Sequence, residues 1–356
     1  MNNGYQNALL YIDLSRSESR VLSIPDWLRE EYVGGKGFGA RLLYDLLPAG
    51  TAPLSPENPL MFLSGPLTGT NAPSMRGCVV TKSPLTGIFL DSYFGGEFSQ
   101  EIKYAGYDGI IIVGRAEVPV IVFLNNGEVE IRPAGTIWGM DALESNREIK
   151  KHLEDESIKV AGIGQAGENQ VPFALISCEY NRQAGRGGAG AVMGSKNLKA
   201  VAVRGRKLVR VADPGGFGSA VQKAFRELDE SEEIKVLRET GTASAIEFAN
   251  EVGLFPSRNF QGGWSAKAGK LGDKGQSKHL WLRNCACQGC PIYCSKIGAI
   301  RHGKYAGTVS DIVEYESAGL LGTNLGIDDI RAVTYLTNLC DKLGLDSMSA
   351  GGAIGF

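Results

Sequence analysis

This chain of 356 residues is notable first for what it lacks. No apolar run approaches the ~20 residues needed to span a membrane. The opening Met1-Asn-Asn-Gly-Tyr5 has neither a basic stretch nor an apolar one, so the sequence carries no secretory pattern here. Lysine and arginine nearly balance aspartate and glutamate, leaving a formal net charge of −2. That removes any electrostatic case for binding nucleic acid or an anionic membrane surface. The seven cysteines are unevenly spaced, which does not suit a disulfide framework and fits a reducing compartment. A cytoplasmic location is expected.

Glycine is abundant. Forty-eight glycines is nearly twice ordinary usage, with no collagen or linker repeat to account for it. Glycine at this density implies many places where the backbone takes positive φ or approaches a neighbour closely.

The most informative stretch is Cys287-Gln-Gly-Cys290-Pro-Ile-Tyr-Cys294. Thiolates at such short spacing hold iron–sulfur clusters, usually with a fourth cysteine from elsewhere. Structural zinc also uses C-x2-C, but a zinc site normally adds a second C-x2-C or H-x3-H. Neither is present, and His302 is the only imidazole nearby. Spacing alone leaves cluster, zinc and unliganded thiols as alternatives. Cys285 could shift the register by one ligand.

Along the chain, Ala8–Asp13 and Arg20–Ser23 have the pattern of a hairpin, and Leu60–Ser64, Cys78–Thr81, Gly109–Val113, Val118–Leu124 and Leu198–Val203 that of strands. Asn126-Gly127 is a hairpin turn signal leading into Glu128–Arg132. Asp91–Gly96 has the composition of a loop, and a helix is expected from about Asp141 to Leu153.

Two segments match dinucleotide-binding glycine patterns. Gly35-Lys-Gly37-Phe-Gly39-Ala40 follows a charged segment rather than a core strand. Val160-Ala-Gly162-Ile-Gly164-Gln-Ala-Gly167 does follow a strand, but Val171–Ser177 after it is strand-like where a helix is required. A dinucleotide site is therefore not expected. Arg182-Gln-Ala-Gly185-Arg186-Gly-Gly188-Ala-Gly190 is different. Its arginines can clamp phosphate bidentately and its glycines can admit a ligand to the main chain. The alternative is a glycine-rich buried corner with solvated arginines.

Composition changes after Arg206. Asp213–Ala249 is helical in pattern, with Phe217, Val221, Phe225 and Leu228 forming an expected core stripe. Asp328-Asp329 opens a helix through Leu343, stopped by Gly344. Asp341 and Asp346 near its end oppose the helix dipole. The fold class expected is α+β: a glycine-rich β-sheet domain over 1–208, then a mostly α-helical domain over 209–356. The apolar run Ala350–Phe356 reads as chain that continues.

Gly65–Thr70, Thr81–Gly87, Ala105–Ile110, Ile163–Asn169, Ala184–Gly188 and Ala191–Ala200 together resemble the tungsten-dependent aldehyde ferredoxin oxidoreductases. The cysteine motif and Asp341–Asp346 continue the likeness. The resemblance implies a bis-pterin cofactor of tungsten (or molybdenum) beside a [4Fe-4S] cluster. It assigns Arg76, Gly95, Arg182, Gly185 and Arg186 to pterin and phosphate groups. It assigns the carbonyls of Tyr93 and Gln183 to a Mg2+ ion bridging the two phosphates. Asp341, Leu345 and Asp346 match a first pterin motif, D-x-x-G-L-[CD]. Cys287, Cys290 and Cys294 would be cluster ligands, with the fourth in a second motif beyond Phe356.

The activity implied is oxidation of small aldehydes to carboxylic acids, with electrons leaving through ferredoxin or an iron–sulfur subunit. Glu314 and Glu316 are the candidate proton-transfer carboxylates. A homodimer is one assembly the resemblance allows. Some relatives hold iron between subunits through a helix glutamate, but Thr334, Tyr335 and Leu336 stand there, so that metal is not expected. Relatives that reduce an aromatic ring or thioester within a larger complex share these motifs, and a cluster-only electron carrier would share the cysteines.

Overall fold

A computed structural model describes residues 3–179 and 182–356 and divides the chain into two compact units. Unit 1 runs to Val221 and also includes Lys342–Leu345, while unit 2 comprises Gln222–Asp341 and Asp346–Phe356. The α+β class is observed.

Unit 1 contains two six-stranded sheets. The first is built from β1 (Ala8–Asp13), β2 (Glu18–Ser23), β3 (Leu60–Ser64), β4 (Gly77–Lys82), β5 (Phe89–Phe94) and β6 (Gly109–Val113), in the order β2-β1-β6-β3-β4-β5. The second uses β7 (Val120–Asn125), β8 (Glu128–Pro133), β9 (Lys159–Gly162), β10 (Ile176–Cys178), β11 (Arg182–Ala184) and β12 (Leu198–Arg204), in the order β11-β10-β9-β12-β7-β8. Pairing is antiparallel except for β1 with β6 and β7 with β12. The helices of this unit are α1 (Asp26–Tyr32), α2 (Lys36–Leu46), α3 (Phe98–Ala105), α4 (Ala142–His152), the single turn α5 (Gln165–Glu168) and α6 (Ala189–Ser195).

Side-chain alternation explains the layering. Leu10, Ile12, Phe62, Ile110 and Ile112 of the first sheet share a buried core with Val122, Leu124, Val201 and Val203 of the second, together with Phe98 and Ile102 of α3 and Val192 and Met193 of α6. The intervening residues Leu9, Met61, Leu63 and Ile111 face the other way, against Leu28 of α1 and Phe38 and Leu43 of α2. On the second sheet, Ile121, Phe123, Val160, Ala200 and Ala202 pack under Ile149 of α4. The β7–β8 hairpin turns at Asn126 and Gly127, both at positive φ (52° and 104°). Asp141 caps α4 by accepting from the Glu144 amide at 2.7 Å.

Unit 2 is mostly helical. α7 (Pro214–Glu230) leads into it, followed by α8 (Glu232–Thr240), α9 (Ala245–Glu251), α10 (Asp273–His279), α11 (Tyr315–Leu320), α12 (Ile330–Leu343) and α13 (Ser347–Gly355). A small antiparallel sheet, β13 (Trp281–Cys285), β14 (Ser295–Ala299) and β15 (Val309–Asp311), carries the cysteine segment. Among the described residues no helix is long and apolar enough to cross a membrane.

Several sequence expectations need correction. Asp91–Phe94 is not loop but the second half of β5, because Phe89, Leu90, Tyr93 and Phe94 supply β-favouring bulk and the ladder to β4 satisfies their main chain. Only Gly95-Gly96 remains a turn. The strand expected over Val171–Ser177 shrinks to Ile176–Cys178, since Pro172 cannot donate to a ladder. The stripe Phe217, Val221, Phe225 and Leu228 has the right period, but α7 has no fully buried residue. Ala350–Gly355 lies inside helix α13 rather than after one.

Among the described residues unit 1 also buries four lysines, Lys103, Lys150, Lys196 and Lys199. Lys103 pairs with Asp108 at 2.7 Å and Lys199 with Glu168. Lys196 instead donates to the carbonyls of Pro56 (2.9 Å) and Gly114 (3.4 Å), and burial pushes its pKa down to about 7. An amine with a depressed folded pKa carries its burial penalty in full below that value. The penalty fades as pH rises toward the unfolded value near 10.4. The guanidinium midpoint of the chain is therefore expected to rise between about pH 7 and pH 9, by up to roughly 1 kcal/mol per pH unit from this group. The slope should flatten in Lys196→Met, and an unchanged slope would show that Lys196 titrates normally.

Candidate functional site

The register of the first sheet gathers part of the predicted set. Gly77 of β4 pairs with Phe94 of β5, which places Arg76 beside Gly95 at the strand ends. Cys78 pairs with Tyr93, so Arg76, Tyr93 and Gly95 occupy one corner. The second sheet reaches the same corner through β11, which packs against β5. The Arg186 amide donates to the Ser92 hydroxyl at 3.3 Å. A Cβ on Gly96, which sits at φ 86°, would lie 3.1 Å from Cγ of Arg182 and 3.2 Å from Oε2 of Glu179. Arg76, Tyr93, Gly95, Arg182, Gln183, Gly185 and Arg186 thus converge where the last strand of one sheet meets the last strand of the other.

This corner is chemically suited to an anion. Arg76 and Arg186 are exposed and Arg182 is half-buried. The space above Gly185 is open, its added Cβ meeting only the Gln183 Cβ at 3.9 Å. Tyr93 and Gln183 stand on the outer edges of their sheets, where main-chain carbonyls can reach a cation. Three guanidinium groups beside sheet-edge main chain suit, in charge, the phosphate groups of a pterin cofactor.

The neighbouring glycines serve another purpose. Added Cβ atoms on Gly188, Gly190 and Gly194 would collide with the main-chain carbonyls of Pro172, Leu175 and Gly167, and one on Gly187 with the Leu90 side chain. They let segments of unit 1 touch, so only the start of the glycine-rich run is open to a ligand.

Sequence reasoning missed Ser92, Gly96 and Glu179. Glu179 accepts from the Glu97 amide at 3.0 Å, and desolvation, with Glu97 nearby, pushes its carboxyl above the usual range. Nothing local distinguishes it, because its partners lie about eighty residues away.

The first pterin motif divides between the units. Leu345 bridges to Ala174, and the Leu175 amide donates to the Gly344 carbonyl at 2.9 Å. Leu345 packs with Ala166, Val171, Ala174 and Ala191. Asp341 is half-buried in the last turn of α12. Asp346 is buried and caps α13, accepting from the amides of Met348 (3.1 Å) and Ser349 (3.3 Å). A carboxylate at 346 therefore has a structural reason to be there, because it starts a new helix rather than ending the old one.

In unit 2 the cysteine segment is the tip of the β13–β14 hairpin, closed by the Cys285–Ser295 pair. Cys287 and Cys290 are half-buried and Cys294 is exposed. Arg238 donates to the Pro291 carbonyl at 3.0 Å. Buried Lys296 donates to the carbonyls of Tyr293 (3.0 Å) and Arg238 (2.8 Å). The thiols are the donor type an iron–sulfur cluster uses, on a loop gripped from beneath by two cations. Among the described residues, however, no three or more cysteine, histidine or acidic side chains are already gathered into a metal-holding group. The three buried cysteines are poor ligands. Burial pushes Cys78 and Cys340 up to about 12 and Cys178 well above its ordinary value, which disfavours the thiolate.

Glu314 occupies the N-cap position of α11, is exposed, and accepts from the Thr242 hydroxyl, which in turn accepts from the Tyr315 amide at 3.1 Å. Glu316 is exposed in the first turn of α11, where the helix dipole favours an acid.

Sequence comparison supplies the family. The aldehyde ferredoxin oxidoreductase N-terminal domain matches residues 9–205, and domains 2 and 3 of the same family match residues 219–356. The chain belongs to the aldehyde ferredoxin oxidoreductase family, a family of oxidoreductases. It is 40% identical to the tungsten-containing aldehyde ferredoxin oxidoreductase of Pyrococcus furiosus over 354 residues, covering 99% of this chain and 58% of that protein. It is 36% identical over 370 residues to the WOR-like subunit of an aliphatic sulfonate oxidoreductase from the same organism, with the same coverage. Among solved structures, the active site complex BamBC of benzoyl coenzyme A reductase, in complex with 1,5-dienoyl-CoA, matches with a TM-score of 0.87 and 30% identity, over 100% of this chain and 55% of that one. The chain thus spans little more than half the length of these relatives.

Proposed function

We propose that this chain is the pterin- and cluster-bearing part of a tungsten enzyme that oxidises aldehydes to carboxylic acids and passes electrons to ferredoxin. The observation that carries this reading is the convergence of Arg76, Arg182 and Arg186 with the sheet-edge residues Tyr93 and Gln183, in a chain 40% identical to a tungsten-containing aldehyde ferredoxin oxidoreductase.

In this reading 1–208 is the pterin domain and 209–356 the helical domain that carries the cluster cysteines. The three arginines hold the pterin phosphates, with Gly95 and Gly185 giving room for close approach. The carbonyls of Tyr93 and Gln183 face the magnesium, while Asp341, Leu345 and Asp346 receive the pterin from the first D-x-x-G-L-[CD] motif. Cys287, Cys290 and Cys294 bind the [4Fe-4S] cluster. When bound, the tungsten centre supplies two-electron oxidation of the substrate carbon, and the cluster supplies one-electron transfer. Glu314, the more constrained of the two candidate acids, holds and releases the proton that oxidation liberates. Anaerobically purified full-length protein, extended beyond Phe356, should contain tungsten or molybdenum, about four irons and pterin. It should also reduce a viologen dye when given an aldehyde. One equivalent of zinc with neither iron nor pterin would refute the reading.

The likeness to the benzoyl coenzyme A reductase complex favours a second reading, in which the chain belongs to a larger assembly acting on a coenzyme A thioester. Co-purification with partner subunits and turnover of a CoA thioester, but not of free aldehydes, would select it.

The arginines allow a sharper test. Lysine keeps the charge but loses the planar two-pronged donor. Arg182→Lys and Arg186→Lys should each lower pterin content by roughly tenfold under limiting cofactor, with the melting temperature nearly unchanged. Undiminished pterin content in both variants would mean that the corner is structural.

A further inference from the structure

Glu179 has no role in the pterin reading, yet it ties the two walls of the arginine corner together. One wall comes from the first sheet, as β5 and the Gly95-Gly96 turn that leads into α3. The other comes from the second sheet, as β11 with Arg182 and Gln183. The main chain of Glu179 belongs to the second wall. Its amide donates to the Val160 carbonyl of β9 at 2.8 Å, and its carbonyl accepts from the Ser177 hydroxyl of β10 at 3.1 Å. Its side chain belongs to the first. Oε1 accepts from the Glu97 amide at 3.0 Å, across a sequence separation of 82 residues.

Glu97 is the residue directly after the Gly95-Gly96 turn, and it occupies the N-cap position of α3. Its own side chain makes no cap, because its carboxylate is engaged by Lys159 of β9. Glu179 therefore supplies the acceptor at the start of α3, where the helix dipole favours an acid. Its other oxygen faces the turn itself. Oε2 lies 3.2 Å from the point at which Gly96 would carry a Cβ, and Cγ and Cβ of Arg182 lie 3.1 and 3.5 Å from the same point. Gly96, at φ 86°, thus leaves the space in which Glu179 and the aliphatic stem of Arg182 come together against the turn. A carboxylate beside phosphate-binding arginines would ordinarily oppose an anion. Here one oxygen is occupied by main chain, and Lys159 and Lys150 offset the charge.

We propose that Glu179 is a positioning residue, which fixes the spacing of the two sheet edges and so the placement of Arg182 and Gly95 against the pterin phosphates. A phosphate clamp is effective only when its prongs are held close to the productive geometry. Glu179 holds them without touching the cofactor. This inference rests on the pterin reading of the corner.

The test uses full-length protein, extended beyond Phe356, and follows the rate at which bound pterin is lost on dilution, beside the melting temperature. Glu179→Ala removes the link and should speed pterin loss about tenfold. Glu179→Gln keeps an acceptor for the Glu97 amide and should stay within about twofold of wild type. Asp141→Ala is the control for stability alone. It removes the α4 cap, away from the corner, and should lower the melting temperature while pterin loss keeps the wild-type rate. Glu179→Met fills the same space without an acceptor, and decides the matter if the alanine variant does not fold. Pterin loss at the wild-type rate in folded Glu179→Ala or Glu179→Met overturns the inference. So does a glutamine variant as leaky as alanine, which would show that charge rather than the link is needed. Wild-type protein that carries no pterin would instead refute the reading of the corner, and this inference with it.

Discussion

Adding one methyl group at Gly194 should abolish the folded state of unit 1. Helix α6 is buried along its whole length, and its Gly194 Cα faces the carbonyl of Gly167 in α5. A Cβ there would sit well inside van der Waals contact with main-chain atoms on the opposite side. Overpacking a core usually costs about 1–3 kcal/mol because a side chain can rotate away. Here neither partner is a side chain, so α5 and α6 must separate. That would open the core holding Val192 and Met193. A cost above ~4 kcal/mol is expected, comparable to the whole stability of a marginal domain. Gly352→Ala is the control. It lies in α13 with nothing within 4 Å of its added Cβ, and alanine there should be neutral or stabilising by about 0.4–1 kcal/mol. Soluble yield and urea midpoints of the two variants settle the matter. A Gly194→Ala protein within ~1 kcal/mol of wild type would mean that the two helices are not in contact as described.

Cys290→Ser should remove the iron–sulfur signal almost completely. The proposed cluster draws three of its ligands from one nine-residue hairpin tip, and a serine hydroxyl is a far poorer ligand for cluster iron than a thiolate. In the full-length protein iron should fall from about four atoms per chain to below one, with loss of the visible absorption and of the reduced-state EPR signal. The hairpin itself should survive, because its ladder runs through β13 and β14 and its cations hold main-chain carbonyls rather than sulfur. Pterin content reports on unit 1 and should change little. Cys340→Ser bears on the alternative in which a core cysteine completes the cluster. It should leave iron content unchanged while costing about 1–3 kcal/mol for an under-satisfied hydroxyl among apolar atoms. Full iron content in Cys290→Ser would remove that cysteine from the ligand set.

Much of this architecture was legible where the signal is local. The Asn126-Gly127 turn, the helix start near Asp141 and the Gly344 stop each depend on a few neighbouring residues, and each is where the sequence places it. Composition misled where pairing decides. Asp91-Ser-Tyr-Phe reads as loop because aspartate and serine favour turns, yet β4 offers it a ladder. The three-residue strand β11 has no period of its own and exists only through β10. The glycines of 187–194 show the same limit in reverse. Glycine density signals close approach but not to what, and here it is mostly to other backbone. The grouping of Arg76, Tyr93 and Gly95 follows from a strand register that no local pattern contains. Glu179 was invisible for the same reason, since its partner Glu97 is distant in sequence.

The inclusion of Lys342–Leu345 in unit 1 has a consequence for biosynthesis. Gly344 and Leu345 close onto Leu175 and Ala174, and Gly164 leaves room for the Leu343 carbonyl. A ribosome must therefore synthesise everything between Val221 and Lys342 before the last piece of unit 1 exists. At ~5–20 residues per second this is a wait on the order of ten seconds, during which the edge around β10 is uncovered. A nascent chain stalled between Gln222 and Asp341 would present a nearly finished first unit with that edge still open.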